Sequence, residues 1–150
     1  MTTDKILGDN FNGFQHVGIP VTDIRKSEAF YAKLGFDRAM NARFPWEEEE
    51  EGEVVMMKRG PVVMELYQFP EPERSEIGKR KDGHIDHITF DVQDIDSAFQ
   101  ELQQAGFTIA EEAPVFLDFW EHGCRYFNVL GPDNERLEFN ELLKTDRHEK

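Results

Sequence analysis

Two stretches of the chain share one pattern: a short alternation of apolar and polar residues, an acidic residue, then apolar residues at helical spacing that stop at a glycine. In the first, residues 14–21 ("FQHVGIPV") alternate as a strand does. Asp23 stands where a helix N-cap belongs, and residues 24–34 predict a helix ended by Gly35. In the second, a strand is predicted from His84 or Ile85 to Val92 and a cap at Asp94. Ile95, Ala98, Phe99, Leu102 and Ala105 then form the stripe of a helix ended by Gly106. Each helix is followed by strands. Residues 38–44 and 53–57 are weaker candidates, and 62–69 ("VVMELYQF"), β-branched and aromatic, is the strongest of the first half. The second half continues through residues 108–112 and a loop over 116–122. It closes with "CRYFNVL" and "ERLEFNEL", joined by the turn "GPDN" at 131–134.

A shift of 71 superposes His16 on His87, Val21 on Val92, Asp23 on Asp94, Ile24 on Ile95, Gly35 on Gly106 and Phe36 on Phe107, six identities in 21 ungapped positions. Both halves end in a strand with a glutamate in an apolar frame, and the shift from Glu65 to Glu138 is 73. The economical reading is a duplicated βαβββ module, about 13–69 and 84–142, within a single α+β domain. Residues 70–83 ("PEPERSEIGKRKDG"), Pro-rich and charged, are expected to be a linker. Residues 1–10 and the tail 143–150, wholly polar from Lys144 on, are expected to be loose. The glutamate run within 46–53 is expected to be a solvated loop, because consecutive exposed carboxylates do not converge on one ion.

Strand parity sorts the chemistry-bearing residues. Val17, Ile19 and Val21 share one face and His16, Gly18 and Pro20 the other; Ile88, Phe90 and Val92 oppose His87, Thr89 and Asp91. In the closing strands Glu65 and Tyr67 oppose Met64 and Leu66, and Glu138 and Asn140 oppose Leu137 and Phe139. Two histidines and two glutamates thus lie opposite an apolar stripe, while His84 falls on the wrong parity or in the turn. If each module curls its sheet away from its helix, the four meet. Two imidazoles and two carboxylates suit a divalent ion such as Ni, Zn, Mn, Co or Fe, with positions left for a substrate bearing two adjacent oxygens.

Composition narrows the partners. Seventeen Lys and Arg against 31 Asp and Glu leave a net charge of −14, which repels nucleic-acid phosphates and anionic lipid. The single cysteine, Cys124, cannot close an internal disulfide and is expected to be a small buried hydrophobe. The chain has no N-terminal apolar segment and no 18-residue apolar run, so a cytoplasmic protein is expected.

The segments "HVGIPVTDIRKSEAFYAKLGF", "VVMELYQF", "GHIDHITFDVQDIDSAFQELQQAGF" and "GPDNERLEFNEL" resemble the vicinal oxygen chelate superfamily, which includes glyoxalase I and methylmalonyl-CoA epimerase. The resemblance covers about residues 14–142. It implies two paired βαβββ modules forming a curved mixed sheet around a metal-binding cleft, and it puts His16, Glu65, His87 and Glu138 on the four ligand positions. It further implies a small-molecule substrate chelated to the metal, a Lewis-acid-stabilised enediolate, a homodimer, and Glu138 as both ligand and catalytic base. Pro20 stands where glutathione-dependent members carry an arginine, which counts against glutathione. Glu65 stands where the epimerase carries glutamine, and no basic patch suits a CoA phosphate. The expected activity is a glyoxalase I-like lyase or isomerase acting on a small α-hydroxycarbonyl or dicarbonyl. The alternatives are a metal-dependent epimerase and a non-catalytic drug-binding protein. Tyr67, Trp120 and Arg125 are the candidate substrate contacts.

Overall fold

The structure, a computed structural model, describes residues 5–132 and 136–145. The expected turn residues Asp133 and Asn134, together with Glu135 and residues 1–4 and 146–150, lie outside the described residues. The fold is α+β, and the chain divides into two compact units, His16–Asp86 and Met1–Gln15 with His87–Lys150. Strand β1, Phe11–Pro20, gives its first half to the latter and its second half to the former.

In the 16–86 unit β1 is followed by helix α1 (Ile24–Lys33) and strands β2 (Asp37–Pro45), β3 (Glu51–Arg59) and β4 (Val62–Gln68). The strands lie in the order β2-β3-β4-β1, with β1 and β4 parallel and the other pairs antiparallel. The Asp23 side chain accepts the Lys26 N–H and so caps α1. Gly35, at φ +95, ends it in the left-handed conformation that costs other residues strain. The core beneath α1 is Val21, Ile24, Val55, Met57 and Leu66, with Ile19, Tyr31 and Phe36 packed against it. Strand β3 starts earlier than its hydrophobicity suggests, at Glu51 rather than Glu53. Gly52 pairs with Phe44 across the ladder, and a Cβ on Gly52 would stand 2.2 Å from that ring, so a bare position is what admits the aromatic.

Residues 70–83 are more than a polar connection: they hold a short helix α2, Glu73–Gly78, that buries Ile77. One apolar side chain in a charged stretch is too weak a signal for periodicity to reveal.

The other unit repeats the plan with β5 (His87–Val92), α3 (Ile95–Gln104), β6 (Val115–Leu117), β7 (Cys124–Leu130) and β8 (Arg136–Leu142). Its order is β5-β8-β7-β6, again with the first pair parallel. Asp94 caps α3 by accepting the Ser97 N–H, the same contact Asp23 makes. Strand β5 begins at His87 rather than at His84 or Ile85, because Asp86 still donates its N–H to Gly18 O of the 16–86 unit at 2.8 Å. The strand expected at 108–112 reduces to a bridge between Ile109 and Val129, and the edge of β7 away from β8 pairs with β6, which overlaps the start of the segment expected to be loop.

The expectation of a loose start is also corrected. Leu7 is 7% exposed and belongs to the core of this unit with Val92, Ile95, Ala98, Phe99, Leu102, Phe127, Val129 and Phe139. Its N–H donates to Glu101 at 2.9 Å, and a 3-10 turn, Gly8–Asn10, leads from it into β1.

Candidate functional site

Each unit builds the same pair by the same register. In the 16–86 unit Gly18 is the parallel partner of Glu65, so His16, two residues earlier on β1, presents its ring on the glutamate's face. His16 Nε2 stands 3.5 Å from Glu65 Oε1, with side chains 2% and 12% exposed. In the other unit Thr89 is the parallel partner of Glu138, and His87 is again two residues earlier. His87 Nε2 stands 3.2 Å from Glu138 Oε1, with side chains 8% and 11% exposed. The two-residue difference between the histidine and glutamate shifts is thus taken up outside the site.

Burial adds to the parity reading. The face opposite the apolar stripe is the better buried one: His16 and Thr89 are at or near zero exposure, whereas Ile88 is 38% exposed. The helices account for this, since their cores take in Ile19 with Val21 and Phe90 with Val92 and leave out the first apolar residue of each stripe. Burying an imidazole and a carboxylate is costly unless each is paired or ligates a metal.

Glu138 sits in a polar network that strand parity only half reveals. Asn140, two residues on and 3% exposed, donates its Nδ2–H to Glu138 Oε2 at 2.8 Å. Gln15 donates to Asn140 Oδ1 at 3.3 Å and to Asp91 Oδ1 at 2.6 Å, and Asn12 donates to Asp91 Oδ2 at 2.6 Å. The signal for Asn140 is its spacing from Glu138 in "EFN", and parity places Asp91 on the face of His87; Gln15 carries no such signal, since only strand pairing brings it to them.

The remaining candidates take separate places. Tyr67 is buried on β4, its ring 5.1 Å from Phe69 and 6.4 Å from Phe44 in an aromatic group that also includes Trp46. Trp120 lies in the turn before β7 with φ +65, a conformation a bulky residue holds only under constraint. Arg125 on β7 gives both terminal nitrogens to the two carboxylate oxygens of Asp96 on α3, at 2.8 and 3.0 Å. Cys124 is buried, with Asn140 Nδ2 at 3.6 Å from its sulfur. His84 is exposed ahead of β5. Among the described residues no helix is long and apolar enough to cross a membrane.

Residues 13–139 match the model of the family described as Glyoxalase/Bleomycin resistance protein/Dioxygenase superfamily. The uncharacterized protein YwkD of Bacillus subtilis (strain 168) is 33% identical over 129 residues, which cover 84% of this chain and 94% of YwkD. Methylmalonyl-CoA epimerase from Mycobacterium tuberculosis has a structure similar to this one, with a TM-score of 0.73, 17% identity, and coverage of 93% of this chain and 94% of its own. A mutant 4-hydroxymandelate synthase from Streptomyces coelicolor is similar with a TM-score of 0.69 and 12% identity, over 93% of this chain and 50% of its own. At these identities the two structures speak for the fold alone.

Proposed function

The chain belongs to the Glyoxalase/Bleomycin resistance protein/Dioxygenase superfamily, and from that premise we propose that it is an enzyme. It holds one divalent metal ion through His16, Glu65, His87 and Glu138 and moves a proton at a carbon next to a carbonyl. The observation that carries this reading is the repeated pair: a buried imidazole at 3.5 Å and at 3.2 Å from a glutamate oxygen, set by the same register in each unit. The donor chemistry fits. His16, Glu65 and His87 each offer one ligand atom of a kind that could hold a metal ion, and Glu138 supplies a second carboxylate. Imidazole nitrogen with carboxylate oxygen suits Ni, Zn, Mn, Co or Fe.

When bound, the ion supplies Lewis-acid polarisation of a substrate carbonyl. Glu138 takes the proton from the adjacent carbon and returns it to the neighbouring one, the outcome of a glyoxalase I-like lyase or isomerase on a small α-hydroxycarbonyl or dicarbonyl. Tyr67, on the same face of β4 as Glu65, and Trp120 are the proposed substrate contacts. Arg125 joins them only by releasing Asp96, whose carboxylate now holds its guanidinium. Pro20 in place of an arginine argues against glutathione as the thiol partner.

A second reading is favoured by one observation. Glu65 occupies in its unit the position Glu138 occupies in the other, so two carboxylates are available, as an epimerase that removes a proton from one face and returns it to the other requires.

Incubating methylglyoxal, with and without thiols, and small α-hydroxycarbonyls in D2O tests both readings. Metal-dependent incorporation of deuterium at the carbon beside the carbonyl is expected, falling by about 10²–10⁴ in Glu138→Gln. Inversion of configuration would favour the epimerase. Exchange that survives Glu138→Gln at the wild-type rate would remove that residue from the role of base.

A further inference from the structure

A glutamate that ligates a metal has two oxygens, and a catalyst needs to know which one faces the ion. Glu138 Oε1 is on the side of His87, at 3.2 Å, and Oε2 is occupied by the Asn140 Nδ2–H at 2.8 Å. The carboxylate torsion is soft, so a donor on one oxygen is what holds the plane of the group.

An asparagine amide can present either end, and the question becomes what turns its nitrogen toward Glu138. The answer lies along the network. Both Asp91 carboxylate oxygens accept from amide nitrogens, so the Gln15 amide at 2.6 Å shows it the NH2 end. The same Gln15 nitrogen faces Asn140 Oδ1 at 3.3 Å and the Asn140 backbone oxygen at 3.4 Å, which leaves Asn140 Nδ2 toward Glu138 and the Cys124 sulfur. Asn12 Nδ2 at 2.6 Å from the other Asp91 oxygen holds the start of the chain in place. Every member comes from one unit, and Asn140, next to the carboxylate, is 3% exposed.

We propose that Asn140 is a positioning residue for Glu138, with its amide direction set by Asp91 through Gln15. The inference rests on the reading of Glu138 as a metal ligand. Partners of this kind, which hold a ligand without touching the metal, typically change metal affinity by about 10–100-fold when removed.

The test uses Co²⁺, whose visible absorption reports the ligand field, on the wild type, Asn140→Ala and Asp91→Asn, with thermal midpoints measured to verify folding. Asn140→Ala is expected to weaken Co²⁺ binding by about 10–100-fold and to alter the spectrum. Asp91→Asn, which can offer Gln15 either end of its own amide, is expected to shift both in the same direction by a smaller factor. If Asn140→Ala does not fold, Asp91→Asn alone decides. Wild-type affinity and spectrum in the folded variants would overturn the positioning role while leaving the metal site standing. Failure of the wild type itself to bind Co²⁺ would overturn the metal reading and this inference together.

Discussion

His16 and His87 are buried imidazoles, each within 3.5 Å of a glutamate, while His84, three residues before His87, is exposed and outside the strand. The difference is one of position: the strand that aligns His87 with its glutamate begins at that residue, and His84 precedes it. If the two pairs serve one ion, removing either ring should have the same consequence. His16→Ala and His87→Ala are each expected to lower metal affinity by at least about tenfold, read by elemental analysis after dialysis against a weak chelator. Metal content equal to wild type in either variant would sink its assignment as a ligand, and His84→Ala serves as the control that should lose nothing. The residues that hold Glu138 were only partly legible. Asn140 follows it at the strand period, whereas Gln15 and Asp91 reach it from strands far away in the chain.

At the scale of elements, α1 and α3 are ten-residue helices whose caps, Asp23 and Asp94, accept the N–H three residues on. Replacing Asp94 by alanine leaves that N–H without its partner and is expected to cost about 1 kcal/mol, visible as a lower urea midpoint with an unchanged slope. A midpoint equal to wild type would show that the cap does not stabilise α3. Helix α1 is tied to β2 and β3 by charge: Glu28 pairs with Arg38 and Arg25, and Arg25 also reaches Glu53. The hydrogen bond from Arg38, ahead of the opposing effect of burial, holds the Glu28 carboxyl below the ordinary glutamate value of 4.5. The contribution of this pair is therefore complete above that value and fades as the pH falls through the lowered one. With Arg38 41% exposed, solvent screening keeps it under about 1 kcal/mol. Glu28→Gln should be slightly less stable than wild type at pH 7 and indistinguishable from it at pH 2. A stability gap that persists at pH 2 would mean the charge is not its source. The elements that periodicity misplaced are the short ones. Both α2 and β6 are too short to display a period, and β6 is defined by the ladder it forms with β7.

For the whole molecule, an ion that binds the folded chain and not the unfolded one adds stability by mass action, about 2.7 kcal/mol at a free concentration 100 times its Kd. Thermal unfolding should accordingly rise with Ni²⁺ or Co²⁺ and fall on adding a chelator, and a midpoint insensitive to both would count against a resident ion. The sequence by itself determined the class of fold, the two helices with their caps and stops, and the repeat, and it picked out the four residues proposed for the site. Those features rest on local chemistry: alternation, capping, left-handed glycine and a pattern written twice. Only the tertiary structure decided that Leu7 belongs to a core, that Arg125 is held by Asp96, that the histidine faces are the better buried ones, and that Glu138 is gripped by Asn140. Most of these depend on which distant segments lie side by side, and the pairing of strands whose partners stand 47 and 49 residues apart, Gly18 with Glu65 and Thr89 with Glu138, is set by the packing of the whole unit rather than by any local period.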